Sequence, residues 1–289
     1  MPANLPIQTI HPKHPSLRKY IEYYYFLDVQ ESDFSAHFQH FPHYRTALNI
    51  YKGSQVDLSK TGRRLSPGDH QQIEAVLAKN WEQALMAHLE GPQKIVGILF
   101  SLLGVPQFFP WPLGELPDEP AISLAERWPE LLQTAESWFE GSLPERAHRL
   151  DQFFLAQFKN RALPIVEAWL PRLQQGEGSP GVQDWTQQQG ISRRTLHRQM
   201  VEHLGVSSHV VKRVLRFRAA MKYLHPSQRP NLTHLAYQAG YYDQADFIKH
   251  FRKLTGQTPR QTLPYLEQVG SEDLWWNFQM SQTSNFLKR

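Results

Sequence analysis

The pattern that most restricts the fold is written twice. Val182–Gly205 reads VQDWTQQQGISRRTLHRQMVEHLG, and Leu232–Gly256 reads LTHLAYQAGYYDQADFIKHFRKLTG. In each copy a two-turn helix runs from an apolar residue to a glycine eight positions on, Gly190 or Gly240. Glycine suits that place because it enters the left-handed backbone that ends a helix without a Cβ penalty. A short turn follows, then Ser192 or Asp243 as an N-cap, then a second helix. That order is helix-turn-helix.

The second helix of each copy can be unrolled at 100° per residue. Leu196, Met200 and His203–Leu204 share the inner side of the first, while Arg194, His197, Arg198 and Val201 point outward. Phe247, Phe251 and Leu254 are inward in the second, with Ala245, Ile248, Lys249 and Arg252 outward and Gln244 at the exposed start. Lys249, His250, Arg252 and Lys253 fill the gaps in that seam with basic groups. A narrow apolar seam anchors such a helix and leaves the rest of its surface for a groove. The major groove of B-DNA, about 12 Å wide, admits an α-helix and offers acceptors and donors that match Arg, Lys and Gln. Between the copies, Ser207–Leu224 reads as a linker helix of about 25 Å, facing both units through Val211, Val214–Leu215, Arg218 and Met221–Leu224. A rod of that kind can hold two helices one DNA turn apart, near 34 Å.

Charge agrees with this reading. Residues 180–269 hold 13 Lys and Arg against 5 Asp and Glu, whereas the rest of the chain holds 18 against 22. The net +4 therefore conceals a basic segment of the kind that binds a polyanion.

These residues resemble the AraC/XylS family of bacterial transcription regulators over Pro164–Leu263. The resemblance is carried by GIS-x₃-L-x-R (Gly190–Arg198), G-x-S (Gly205–Ser207) and R-x-RAA (Arg216–Ala220), then LA-x₃-GY-x-D-x₂-x-F (Leu235–Phe247) and F-x-K-x-x-G-x-TP (Phe251–Pro259). It implies two tandem helix-turn-helix units on double-stranded promoter DNA, with RNA polymerase as a partner if the protein activates. By analogy Arg194, His197, Arg198, Gln244 and Lys249 fall where bases are read, and Arg193, Arg252 and Lys253 where phosphates are met. Ser208, Ala245 and Thr262 depart from residues frequent in the family and are read as lost capping or packing detail, not lost binding.

The first ~120 residues alternate β-rich runs with turn residues: Tyr20–Asp28, Thr46–Tyr51, Gln55–Ser59, Gln72–Ala78, Gln83–Leu89 and Lys94–Ser101. They suggest a small barrel or sandwich. Pro106–Pro120, with five prolines, is expected as an extended surface crossing. Helices are expected at Leu124–Leu132 and at Pro144–Phe158, the latter capped by Ser142. A further helix opens at Pro164 and kinks or stops at Pro171, and Gln174–Gly181 forms a loop. The expected fold class is α+β: an N-terminal β-rich, cupin-like barrel with following helices, then an all-α C-terminal domain of two helix-turn-helix units joined by a linker helix. The boundaries are 1–160 for an effector-binding or dimerisation unit, 161–268 for the DNA-binding unit and 269–289 for an aromatic tail. That N-terminal half resembles, more loosely, the sensor domains attached to many such regulators.

Tyr23, Tyr25, Phe108 and Trp111 are candidates for lining a small-molecule effector pocket, with core packing as the alternative. His37, His40 and His43 lack the H-x-H and glutamate arrangement of a cupin metal site, so they are expected on a solvent-exposed loop and no metal or other cofactor is assigned. The Leu150/Phe154/Phe158 stripe is read as the helix pair of a homodimer, with a lid on the barrel as the alternative. Trp275, Trp276 and Phe278 are expected to dock in a groove between domains, being costly to leave in water.

The exclusions complete the reading. The longest apolar run, Ile95–Val105, is too short to span a bilayer, and MPANLPIQTI lacks the basic start of a secretory signal, so a cytoplasmic location and no membrane partner are expected. Zero cysteines remove disulfides, thiolate nucleophiles and the methyl-accepting chemistry of repair proteins that share this DNA-binding module. No nucleophile–base pairing or phosphate-cradling glycine loop stands out, so no enzymatic activity is assigned. The competing reading is a cupin-like metal-dependent enzyme, or a small-molecule-binding protein with an accessory DNA-binding domain.

Overall fold

The computed structural model describes residues 5–79, 82–174, 181–224, 231–268 and 275–278. Its strands are β1 (Ile7–Ile10), β2 (Ile21–Val29), β3 (Ser35–His40), β4 (Thr46–Lys52), β5 (Ser54–Ser59), β6 (Gly62–Pro67), β7 (Ile73–Ala78), β8 (Leu85–Glu90), β9 (Gln93–Phe100), β10 (Ala121–Ser123), β11 (Leu266–Gln268) and β12 (Trp275–Asn277). Helices α1 (Pro15–Arg18), α2 (Val105–Phe108), α3 (Pro129–Ala135) and α4 (Leu143–Gln157) accompany the sheets. Then follow α5 (Pro164–Gln174), α6 (Val182–Gln188), α7 (Arg193–Leu204), α8 (Ser208–Met221), α9 (Leu232–Gln238), α10 (Gln244–Thr255) and α11 (Pro259–Thr262). The protein is therefore of the α+β class, β-rich first and helical afterwards.

Two six-stranded sheets make the N-terminal half, in the orders β1-β2-β9-β4-β7-β10 and β11-β12-β3-β8-β6-β5. The first is apolar on both faces. Tyr24, Phe26, Leu48, Ile50, Val96, Ile98 and Phe100 pack under α2 and α4, while Leu27, Val29, Tyr51, Val76 and Ile95 meet Phe38, Leu65 and Leu89 of the second sheet. Double coverage explains why β9 reads as an almost unbroken apolar run and not as an alternation. Its one small residue, Gly97, lies under the Tyr25 ring, where a Cβ would fall 1.9 Å from Cζ. The glycine lets that ring cross β9 and place its hydroxyl on Asn49 of β4.

The strands expected from the sequence are present, and several others join them. β3 is not the exposed loop that its histidines suggest: it pairs with β8 from Ser35↔Glu90 to His40↔Leu85, with Ala36 and Phe38 buried. Pro106–Pro120 is not a surface crossing: Pro106 opens α2, and Phe108, Phe109, Leu113 and Leu116 are buried. The helix expected at Leu124–Leu132 lies later, because Pro129 is shaped for a first turn and Trp128 before it is extended in φ. Pro171 does not stop α5, which continues to Gln174. The predicted loop Gln174–Gly181 falls almost wholly outside the described residues.

Helix α4 begins at the expected Ser142, whose capping box with Glu145 is formed, and Asp151 ties it down. The Asp151 carboxylate accepts from the Tyr24 hydroxyl at 2.8 Å and from the Lys13 and His14 amides. Leu150 and Phe154 are fully buried against the first sheet of their own chain, with Phe154 edge-on to Phe108 at 5.2 Å. The stripe is thus a lid on the barrel. Leu150 and Phe154 are spent inside the chain, and Phe158 is partly buried against the same core.

The tail returns to the barrel. β12 pairs antiparallel with β3, Trp276 opposite His40 and Asn277 opposite Gln39, and β11 pairs with β12. Trp276 stacks on Phe38 at 4.4 Å with the rings 2° from parallel, and Phe278 is buried beside it. Trp276 and Phe278 therefore dock, though by joining a sheet and packing into the core between the two sheets; the Trp275 side chain lies outside what the structure describes.

Candidate nucleic-acid interface

Both predicted units form with their caps. Gly190 and Gly240 have φ of +65° and +75°, ending α6 and α9. Ser192 Oγ accepts from the Thr195 amide at 3.0 Å to open α7, and Asp243 Oδ1 accepts from the Asp246 amide at 2.7 Å to open α10. Gly205 and Gly256 close these helices in the left-handed region. The two helices match the 12-residue length of each other and repeat the same entry and exit chemistry.

Each seam packs where the unrolling put it. Leu196, Met200 and Leu204 join Trp169, Trp185, Val211 and Val214 in one core, and Phe247, Phe251 and Leu254 join Leu235, Ala236, Phe217 and Met221 in another. Helix α8 serves both, its first half facing α7 and its second half α10. It is shorter than expected, 14 residues or about 21 Å, and Phe217 carries much of the contact that the sequence reading gave to its flanks.

The cationic faces stay open. Arg193, Arg194, His197 and Arg198 are exposed on α7, as are Lys249, Arg252 and Lys253 on α10. Gln244 is half-buried, and its Oε1 accepts from the Thr233 hydroxyl at 2.6 Å. Three residues differ from the sequence reading. Ile248 packs against its own core, and Val201 is half-buried because its carbonyl meets Gly114, where a Cβ would come within 2.7 Å. His250 is not part of the basic face: its Nδ1 lies 2.7 Å from the Tyr241 hydroxyl, and burial with Arg213 and Arg216 nearby lowers its pKa to about 4.

The last turns of both helices rest on the barrel. Leu113 and Gly114 pack on the end of α7, while Leu254 and Thr255 at the end of α10 accept from the Ala84 amide at 2.8 Å and the Gln39 side chain at 3.0 Å. Arg213 of α8 adds an ion pair to Glu82. Attachment at the C-terminal ends leaves the N-terminal turns outward. Those are the ends whose free amides and helix dipole favour phosphate.

Two departures from the family pattern have structural employment. Trp169 Nε1 donates to Ser208 Oγ at 3.0 Å, and Thr262, 1 % exposed, bonds the Thr258 carbonyl at 3.2 Å. At these positions packing detail is exchanged, not lost.

A family model described as a helix-turn-helix domain matches residues 185–264. Residues 185–264 are a DNA-binding domain of the AraC/XylS type. No curated protein sequence matches the chain. Among solved structures, the C-terminal domain of AraT, a response regulator from Geobacillus stearothermophilus, is 24% identical and covers 35% of this chain and 84% of its own, with a TM-score of 0.31. Unsaturated-fatty-acid-bound ToxT from Vibrio cholerae is 15% identical, covering 86% and 96% at a TM-score of 0.41. The DNA-binding domain of AdpA, in complex with a target DNA, is 20% identical, covering 34% and 86% at 0.28.

A cavity lies where the AraC/XylS-type domain meets the barrel, with about 820 Å³ of atom-free space, open solvent at its mouth included. Tyr23 and Tyr25, both pocket candidates from the sequence, line it, as do Arg218 of α8 and Trp276 of β12. Phe108 and Trp111 do not. Phe108 is fully buried on the far side of the first sheet, with Trp111 packed against the same core. His40 and His43, read as loop residues, line this cavity instead. Burial and Arg63 hold the His40 imidazole well below its usual pKa, and burial, Arg218 and Arg45 do the same to His43. His37 stays apart from them, stacked on His88 at 3.7 Å. Among the described residues no three His, Asp or Glu side chains gather as a metal site requires.

The cavity was hard to read from sequence because its walls come from distant segments. The aromatic density at Tyr23 and Tyr25 and the alternation of β3, with His40 on the cavity side, were the available signals.

Proposed function

We propose that the protein is a sequence-specific transcription regulator that lays the N-terminal turns of α7 and α10 into neighbouring major grooves of promoter DNA. One observation carries this: two capped helices, alike in length and cap chemistry, each bury a three-residue seam and expose a cationic face. In this reading Arg194, His197, Arg198, Gln244 and Lys249 meet bases, and Arg193, Arg252 and Lys253 meet phosphates. Residues 1–160 form the controlling unit and 161–268 the reading unit. Of the tail at 269–289, strand β12 pairs with β3 of the barrel. Control is exerted by a small molecule in the cavity between barrel and α8.

The test is a binding assay of the full chain on fragments of its own upstream DNA. Arg198→Ala and Lys249→Ala should each weaken specific binding by about 1–3 kcal/mol and relax preference at one base pair. No specific complex with any such fragment, or a variant loss shared equally by all sequences, counts against base reading by these side chains.

A further inference from the structure

The two reading helices begin differently. In the first unit the residue after cap Ser192 is Arg193, exposed and with no side-chain partner among the described residues. In the second the residue after cap Asp243 is Gln244, and its side chain is held. Gln244 Oε1 accepts from the Thr233 hydroxyl at 2.6 Å, while Gln244 Nε2 bonds nothing among the described residues.

Caps fix both ends of that bond. Thr233 lies in the first turn of α9, where Asn231 Oδ1 accepts from its amide at 3.0 Å and from the His234 amide at 3.1 Å. Gln244 opens α10 behind Asp243, whose carboxylate is spent on the Asp246 amide. The fold does not depend on the pair. Thr233 is exposed, and the core beneath α9 and α10 is made by Leu235, Ala236, Phe247 and Phe251. The other side chains of the first turn of α10 add no donor: Ala245 has none, and the Asp246 carboxylate faces Arg216 at 3.9 Å. What this turn can say to a base is therefore what Gln244 has left to offer.

A free glutamine amide sets an acceptor beside a donor and pairs with adenine, which shows N7 as acceptor and N6–H₂ as donor. With Oε1 turned to α9, the arm left for the groove is N–H₂, a donor. Guanine meets it with two acceptors, N7 and O6, whereas adenine sets its own N6–H₂ against it. We infer that Thr233 is a positioning residue for base reading: it holds Gln244 as a donor, so that the second unit selects guanine over adenine at the base pair Gln244 meets. Fixing the side chain before DNA arrives also lowers the ordering cost of the contact. The inference rests on the base contact proposed for Gln244 and adds which base is taken and what sets the choice.

The experiment is competition binding of the full chain to a fragment of its own upstream DNA, with each base pair of the bound site changed in turn. Gln244→Ala locates the pair, as the position where discrimination is lost. There the unaltered protein should prefer guanine over adenine by about tenfold or more, the range of one good base contact. Thr233→Ala should free Oε1 to accept from adenine N6 and bring that ratio to within about twofold of unity, with the ratios at other pairs unchanged. Thr233→Ser keeps the hydroxyl and should keep the guanine preference. Thermal midpoints check that both variants fold. Three results overturn the inference: adenine preferred at that pair by the unaltered protein, the same ratio in Thr233→Ala as in the unaltered protein, or a loss in Thr233→Ala shared by all fragments with every ratio intact. If Gln244→Ala relaxes no pair while Arg198→Ala relaxes its own, the inference falls and the regulator reading stands. If no fragment gives a specific complex, both fall.

Discussion

Replacing Trp276 with alanine should destabilise a sheet in which four of the other five strands were completed long before it in the chain. The indole is 8 % exposed, lies flat on Phe38 at 4.4 Å and meets His40 edge-on at 4.4 Å. Its Nε1 has no acceptor among the described residues, so the loss is one of apolar contact and not of a hydrogen bond. Truncating a buried Trp to Ala costs about 3–5 kcal/mol, and the stacked pair with Phe38 supplies about 0.5–1.5 kcal/mol within that range. Over a domain of this size the midpoint should fall by on the order of 10 °C. Urea unfolding of the full chain measures the free energy, and hydrogen exchange locates it. Faster exchange should appear in β3 and β8, although residue 276 follows the whole DNA-binding domain. A loss below about 1 kcal/mol, or faster exchange confined to α9 and α10, would refute the assignment of this strand to the barrel.

Further outcomes follow from single features. Gly240→Ala should cost about 1–2 kcal/mol from backbone alone, because φ is +75° and nothing lies within 4 Å of the added Cβ; denaturation of the variant measures it. His250, with a folded pKa of about 4 against an ordinary 6.5, is neutral in both states above pH 6.5. The unfolded chain takes its proton first, so stability should fall as pH drops from about 6.5 towards 4, and His250→Gln should flatten that part of the profile. DNA affinity should decline steeply with salt, since each neutralised phosphate releases counterions; a flat response in a salt titration would contradict the placement of the cationic faces.

The helix-turn-helix units were legible because each signal there is local. Ser192, Asp243, Gly190 and Gly240 act within a few residues of themselves, and the seams follow from a fixed 100° step. Ile248 and Val201 escaped because their neighbours, the second core and Gly114, are chosen by tertiary packing and not by helical phase. His250 escaped for the same reason: a residue type that looks basic in sequence is neutral once burial, with Arg213 and Arg216 nearby, disfavours its charged form. In the barrel, β3 was hidden by its histidines, and Pro106–Pro120 misled because five prolines suggest exposure while the aromatics among them fill a core. Arg63 and Asn49 carried no sequence signal at all, and Arg218 showed only as a linker-helix residue, since their meeting in the cavity depends on sheet register and on where α8 crosses.

The pairing of β3 with β12 sets an order of events on the ribosome. At synthesis rates of about 5–20 residues per second, β3 waits on the order of ten seconds or more for its neighbour while both helix-turn-helix units emerge between them. Until then Phe38 and the backbone edge beside it are open to other chains. A nascent copy is therefore most vulnerable to mispairing at its earliest-made half, and its rescue arrives from its latest.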